Sequence, residues 1–322
     1  MDNFTIKISE LHTEISTESG TIKAVDNVSL QIEKGKVFGL IGESGSGKTM
    51  TAMSIMGLVP PPGRITRGEI FFEGKNLINL SKKDMESIRG NRIGMIFQEP
   101  MTALNPVIRI GEQIGETIVT HKGLARQDAK ERVMELLRQV GFDDPEKRYL
   151  QYPHQLSGGQ RQRVLIAIAI SCNPSMLIAD EPTTALDVAT ESQILYLLRG
   201  LMATQRMSML FITHNLNIMR KFGNSVAIMY AGRVMEESPV EDFFREPLHP
   251  YSRGLIDSIF AFKGDEKRLK AIPGFVPKLS ELPEGCKFHP RCTYAMPRCN
   301  KKEPEFKKIG EGRWVRCYLY QN

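Results

Sequence analysis

The sequence predicts an α/β protein whose mainly parallel sheet is covered by helices on both faces. Three observations predict it. Short apolar runs at 37–41, 175–181 (SMLIADE) and 208–215 (SMLFITHN) suit buried parallel strands. Helical periodicity separates them, most clearly at Val133, Leu136, Leu137 and Val140, which fall at i, i+3, i+4 and i+7. A glycine loop joins the first strand directly to a helix, which the prolines at 60–62 are expected to stop. Between these elements, GEIFFEGKNL reads as strand, turn and strand.

A chain of 322 residues has room for one large domain and a smaller one. Composition changes near Arg245. Residues 246–322 hold 15 lysines and arginines against 9 acidic residues, which is the whole net charge of +6, and eight of the 18 prolines. The expected domains are therefore 1–245 and 246–322. The basic tail admits a solvated surface, nucleic acid or an anionic membrane surface, and charge alone does not choose. No apolar run approaches the roughly 18 to 20 residues that span a bilayer, and the first residues lack a signal-peptide pattern. Reducing cytoplasm is the expected compartment, where structural disulfides are rare.

GESGSGKT, comprising Gly42, Glu43, Ser44, Gly45, Ser46, Gly47, Lys48 and Thr49, matches G-x-x-x-x-G-K-[ST]. Its glycines let backbone N–H groups wrap closely around phosphate oxygens, and the following helix presents its positive end to the same anion. Lys48 would reach the β- and γ-phosphates, and the Thr49 hydroxyl would bind Mg²⁺. The bland alternative is a flexible glycine loop, which the strand-to-helix setting disfavours.

At MLIADEP an apolar strand ends in Asp180 and Glu181. Alone, such a pair is commonly a turn or a helix cap. With a phosphate loop on another parallel strand, Asp180 is expected to hold Mg²⁺ through water, and Glu181 to activate the attacking water. His214, closing FITHN, reads as a contact to phosphate and water rather than a structural histidine. Gln98, in IFQEP, is either a surface glutamine or a neutral ligand to Mg²⁺ and the attacking water. LSGGQRQR supplies a second helix N-terminus suited to an anion, at Ser157, Gly158, Gly159 and Gln160. One chain with two phosphate cradles can use both if two chains meet head to tail.

With these residues in view, the chain resembles an ABC-transporter ATPase subunit over roughly residues 5–245. The resemblance rests on Walker A at 42–49, the Q-loop Gln98, the signature LSGGQ at 156–160, Walker B ending at Asp180, Glu181, the D-loop at 185–187 and the switch His214. It implies a RecA-like P-loop ATPase core with an antiparallel β subdomain and a helical subdomain at about 100–165. FQEPMTALNP and FFREPLHPYSRGLIDSI further resemble the ATPases of dipeptide and oligopeptide importers, with a His-Pro-Tyr motif opening a C-terminal extension.

That closer resemblance implies ATP and Mg²⁺, the latter at Thr49, Gln98 and Asp180, and catalysis by Glu181, His214 and Gln98. It implies as partners a second ABC ATPase subunit, identical or a paralogue, two transmembrane permease subunits and, indirectly, an extracytoplasmic peptide-binding protein. A peripheral place on the cytoplasmic face of the membrane follows, with no nucleic acid. Soluble nucleic-acid-linked relatives usually carry two cores or long insertions, and the His-Pro-Tyr extension argues against an exporter.

The four cysteines of the extension, Cys286, Cys292, Cys299 and Cys317, are spaced C-x5-C-x6-C-x17-C. Structural zinc usually uses tighter pairs, so this spacing leaves an iron–sulfur cluster, zinc and free thiols open. The resemblance implies a [4Fe–4S] cluster. A short proline-rich segment has little core, and a metal centre would staple it. Cys172 reads as a small buried hydrophobe in the helix after the signature. Two positions depart from the family: Ile15 stands where an aromatic usually stacks on adenine, leaving Ile15 or Val25 to pack against the base, and Asn215 replaces the common Asp after the switch histidine.

Overall fold

The computed structural model describes residues 3–18, 20–184, 186–260 and 272–321. In chain order, β1 (Phe4–Thr17), β2 (Gly20–Glu33) and β3 (Val37–Ile41) lead into α1 (Lys48–Met56). Then come β4 (Gly63–Phe72), β5 (Lys75–Asn76), α2 (Lys82–Ile88) and β6 (Ile93–Ile96). A helical stretch follows: α3 (Pro100–Ala103), α4 (Ile110–Lys122), α5 (Arg126–Gln139), α6 (Pro145–Tyr149) and α7 (Gly158–Ile170). Next are β7 (Met176–Asp180), α8 (Val188–Gln205), β8 (Ser208–Thr213), α9 (Leu216–Phe222) and β9 (Ser225–Tyr230). The last elements are β10 (Arg233–Pro239), α10 (Val240–Arg245), α11 (Pro250–Phe260), β11 (Lys307–Gly310) and β12 (Arg313–Val315).

Contacts divide the chain into two compact units. The first holds residues 79–212, with 32–36 and the start of β1; the second holds residues 6–31, 37–78 and those from 213 onward. In the first unit β6, β7 and β8 run parallel, with Ile96 opposite Ala179 and Ala179 opposite Phe211. Every residue of these three strands is buried, which is why they read as unbroken apolar runs. α4 buries Ile110, Ile114 and Ile118, and α5 buries Ala129, Val133, Leu136 and Leu137. Both helices pack on α7. The i, i+3, i+4 stripe therefore faces a helical core, as its period requires.

In the second unit β3 runs parallel to β9, with Leu40 opposite Ala227, and β9, β10, β12 and β11 continue antiparallel. A separate antiparallel sheet has the order β2-β1-β4-β5. The strand-turn-strand reading of GEIFFEGKNL is its β4–β5 hairpin. α1 ends earlier than the prolines suggest. Gly57 adopts a left-handed φ of 58° and donates its N–H to the Met53 and Ser54 carbonyls, so a glycine cap stops the helix three residues before Pro60. Among the described residues, no helix is long and apolar enough to cross a membrane.

Buried acidic side chains stitch the extension to the rest of this unit. The Glu236 carboxylate accepts the Leu248 and His249 N–H groups at 2.9 and 2.8 Å. Asp26, 3% exposed, accepts from Lys287 Nζ at 2.6 Å and Arg233 Nε at 2.8 Å. Burial alone would raise the Asp26 carboxyl, but Lys287 and Arg233 outweigh it and hold it at about 2. Lys287 is itself lowered, burial outweighing the pull of Asp26. The pair therefore stabilises less than the Asp26 shift alone implies.

Removing only the carboxylate still leaves Lys287 and Arg233 without this charged acceptor. Asp26→Asn is expected to cost about 3 kcal/mol at neutral pH, measured as a denaturant midpoint shift. Because the folded pKa lies below the unfolded one, the deficit is full above about pH 4. It shrinks as the pH falls toward 2 and the wild-type carboxylate protonates.

Candidate active site

The second unit carries the phosphate loop. It leaves the end of β3 and enters α1, whose N-cap is Gly47 at φ 104°, with no side chain capping the first turn. A Cβ on Gly42 would overlap the Met229 carbonyl oxygen, and one on Gly47 would overlap the Ala24 carbonyl oxygen. Only glycine allows the loop to lie this close to its neighbours, and at Gly47 also to take a left-handed φ. Lys48, 5% exposed, donates to the Gly42 carbonyl at 2.8 Å and to the Glu43 carbonyl at 3.0 Å, and lies 3.5 Å from Ser46 Oγ. Ser46 is buried, whereas Ser44, Gly45 and Thr49 are exposed. A cation folded back over a ring of backbone amides at a helix N-terminus is an anion receptor.

His214 also belongs to this unit and is exposed immediately after β8. The Asn215 side chain, two atoms from the backbone, accepts the Asn217 N–H at 3.0 Å and caps α9. The Asn215 N–H in turn donates to Thr213 Oγ1 at 3.0 Å. An amide oxygen caps as well as a carboxylate, so Asn215 holds the segment after the histidine without the common aspartate. Ile15 is half-buried on β1, opposite Gly63. Val25 is fully buried, which removes it as a surface for adenine and leaves Ile15.

The first unit carries the acidic strand end. Asp180 ends β7 at 1% exposure, and Glu181 follows with φ 47°. A left-handed glutamate is strained, and such strain clusters at functional positions. The Glu181 N–H is held by the Ile212 carbonyl at 3.0 Å. Its Oε2 accepts from Thr184 Oγ1 at 2.8 Å and lies 3.4 Å from Gln98 Nε2. The structure thus brings Gln98 and Glu181 together. Thr184, which orients the carboxylate, gave no sequence signal beyond its place after Walker B.

The signature opens α7. Ser157 Oγ accepts the Gln160 N–H at 3.3 Å, and Gln160 Oε1 accepts the Ser157 N–H at 3.1 Å, a reciprocal capping box. Ser157 and Gly158 are exposed at this end. A Cβ on Gly159 would lie 2.6 Å from Thr190 Cγ2, so its glycine permits α8 to approach. Thr190 is held in turn by the Asp187 carboxylate, at 2.9 Å from its N–H and 2.7 Å from its hydroxyl. These hydrogen bonds lower the Asp187 pKa. Asp187 is therefore the N-cap of α8, while Ala185 of the D-loop lies outside the described residues.

The residues expected to hold Mg²⁺ offer a hydroxyl, an amide and a carboxylate, the hard oxygen donors this ion takes. The cysteines differ. Cys286, Cys299 and Cys317 are buried, Cys292 is half-buried, and none of the four is in a disulfide. The Cys286 N–H donates to the Cys299 carbonyl at 2.7 Å, and the Met296 N–H to Cys299 Sγ at 3.3 Å. Burial pushes the Cys286 thiol up to about 12 and the Cys317 thiol up to about 11, with neighbouring cysteines adding to both shifts. Four soft sulfurs suit iron or zinc. Among the described residues, however, no three Cys, His, Asp or Glu side chains are placed to hold a metal ion. A zinc cage, with sulfurs about 2.3 Å from one centre, finds no ligand set here, and the iron–sulfur expectation gains no geometric support either. Cys172 is 1% exposed, as expected of a small hydrophobe, but lies two residues beyond the end of α7 rather than inside it. Burial raises its thiol pKa.

Comparison with known proteins gives the family and the fold. Residues 25–184 match the family model of the ABC transporter, and residues 235–299 match that of the oligopeptide/dipeptide transporter C-terminal region. The oligopeptide transport ATP-binding protein AppD of Bacillus subtilis (strain 168) is 48% identical over 98% of this chain and 97% of its own length. The dipeptide transport ATP-binding protein DppD of Escherichia coli (strain K12) is 42% identical, covering 97% and 96%. Among solved structures, the ATP-binding cassette MJ0796, a dimer in a post-hydrolysis state bound to ADP and Pi, superposes with a TM-score of 0.66 at 30% identity. That match covers 73% of this chain and 98% of the other. Fold and motifs define an ABC-type ATPase. The chain belongs to the ATP-binding proteins of the oligopeptide/dipeptide branch of the ABC transporter family.

Proposed function

We propose that this chain hydrolyses ATP to drive import of dipeptides or oligopeptides through separate membrane subunits, from a peripheral position on the cytoplasmic face. The observation that carries the reading is the pair of anion receptors on one chain: the glycine loop ahead of α1 and the exposed, box-capped N-terminus of α7. Two chains, identical or paralogous, each close one receptor on the nucleotide held by the other. Residues 42–49 grip the phosphates, with Lys48 leaving the Gly42 and Glu43 carbonyls for phosphate oxygens. Ser157, Gly158, Gly159 and Gln160 of the partner chain complete the grip.

Glu181 takes the proton of the attacking water while Gln98 and His214 orient it. Thr49, Gln98 and Asp180 would hold Mg²⁺, which supplies positive charge to the β- and γ-phosphates. Loss of the γ-phosphate releases the closed dimer, and residues 98–110 pass that motion to two permease subunits fed by a peptide-binding protein. The domain division at 245 separates this engine from the extension. There Cys286, Cys292, Cys299 and Cys317 would hold a [4Fe–4S] cluster, which would supply a covalent staple. The support for it is the family resemblance and the soft donor set.

Glu181→Gln is expected to bind ATP normally and to lose on the order of 10²- to 10⁴-fold in turnover, measured on the complex reconstituted with its membrane subunits. Peptide uptake should stop with it; near-normal hydrolysis would remove Glu181 from catalysis. Anaerobically purified chain is expected to carry iron and acid-labile sulfide with broad visible absorption, whereas zinc alone or no metal would exclude the cluster.

A further inference from the structure

The side chain of Glu43 sits inside the phosphate loop, yet its charge is the wrong one for a polyanionic ligand. The extension meets it. Arg291 Nη1 and Nη2 donate to the two Glu43 carboxylate oxygens at 2.9 and 3.3 Å, and Tyr251 Oη donates to Oε2 at 3.2 Å. The Glu43 N–H also donates to Tyr251 Oη, at 3.3 Å. Arg291 is held in place by the protein itself. Its Nε donates to the Pro273 carbonyl at 2.9 Å, its guanidinium lies 5.7 Å from the Tyr230 ring centre, and its side chain is 5% exposed. Tyr251 is fully buried, its ring edge-on to Tyr230 at 4.8 Å.

The Glu43 carbonyl meanwhile accepts both Lys48 Nζ and the Ser46 N–H. One residue therefore ties the phosphate-binding lysine on its backbone side to the extension on its side-chain side.

We propose that Arg291 and Tyr251 are positioning residues for nucleotide binding: they neutralise the Glu43 carboxylate and turn it away, so that the loop offers phosphate only donors and positive charge. Resting on the ATP-binding role of this loop, the inference adds that the receptor is completed by the extension. A bidentate guanidinium–carboxylate pair fixes direction as well as charge. Left unpaired, the carboxylate would repel the phosphates in a partly desolvated setting, where Coulomb terms are strong. A fold-stabilising clip would instead affect stability without regard to the charge of the ligand.

The test is calorimetric titration of the full chain with MgATP and MgADP. Wild type binding neither would reject the ATP-binding role itself and is distinct from the outcomes below. Arg291→Gln is expected to weaken MgATP on the order of tenfold and MgADP less, because ADP carries less charge. Adding Glu43→Gln to that variant should restore MgATP affinity to within about twofold of wild type. Unchanged affinity in Arg291→Gln, equal weakening of both nucleotides, or no restoration would overturn the proposal. Should Arg291→Gln fail to fold, Glu43→Gln alone decides. Its uncompensated Arg291 cation is expected to tighten MgATP about threefold, and an affinity equal to or weaker than wild type would overturn the proposal.

Discussion

The constraint on which the rest depends is the close approach of a bare backbone to its surroundings at residues 42–49. Phosphate is bound by amide N–H groups only if the chain curls tightly enough to aim several at one point. That curl presses Gly42 against the Met229 carbonyl and Gly47 against the Ala24 carbonyl, where no Cβ has room. The strands that supply those carbonyls are themselves fixed: β9 is registered against β3, and the Asp26 N–H holds the Gly232 carbonyl just beyond β9 at 2.8 Å. The Gly232 N–H closes the circuit on the Ser46 carbonyl at 2.9 Å. The loop is thus shaped by the sheet and turns around it, which reduces the ordering cost of binding.

The extension shares in that framework. Lys287 donates to Asp26 and lies 3.4 Å from the Ala231 carbonyl, one residue from Gly232. His249 is buried in neutral form, its pKa lowered by burial to about 3, and its Nδ1 accepts the Tyr251 N–H at 3.0 Å. The His-Pro-Tyr motif has a physical sense on this reading: the histidine caps the start of α11, and the tyrosine reaches the phosphate loop. Lys287 and Arg291 directly follow Cys286 and directly precede Cys292. Whatever fixes those thiols therefore also fixes two cations that bear on residues around the loop.

Much of this was legible in sequence because local chemistry dictated it. The glycine loop, the Asp-Glu strand end and LSGGQ each need particular residue types at fixed spacing, and the structure puts each at the expected strand end or helix start. The stripe of α5 was legible because a single face is buried. The end of α1 is not set by the prolines, because a left-handed Gly57 stops a helix as effectively as proline and comes first. That Val25 is closed to adenine is not legible, because sequence alternation does not reveal that a residue is covered. The Arg291–Glu43 pair, 248 residues apart, has no local period to announce it. Nor does the left-handed φ of Glu181, which tertiary structure imposes on a residue with no such preference.

The most direct test of the central claim is equilibrium binding of MgATP to Gly47→Ala, with circular dichroism monitoring the fold. A methyl group at this left-handed position must push the loop off the Ala24 carbonyl. The account predicts a folded chain whose affinity falls on the order of a hundredfold. A folded Gly47→Ala chain that binds MgATP as tightly as wild type would contradict it.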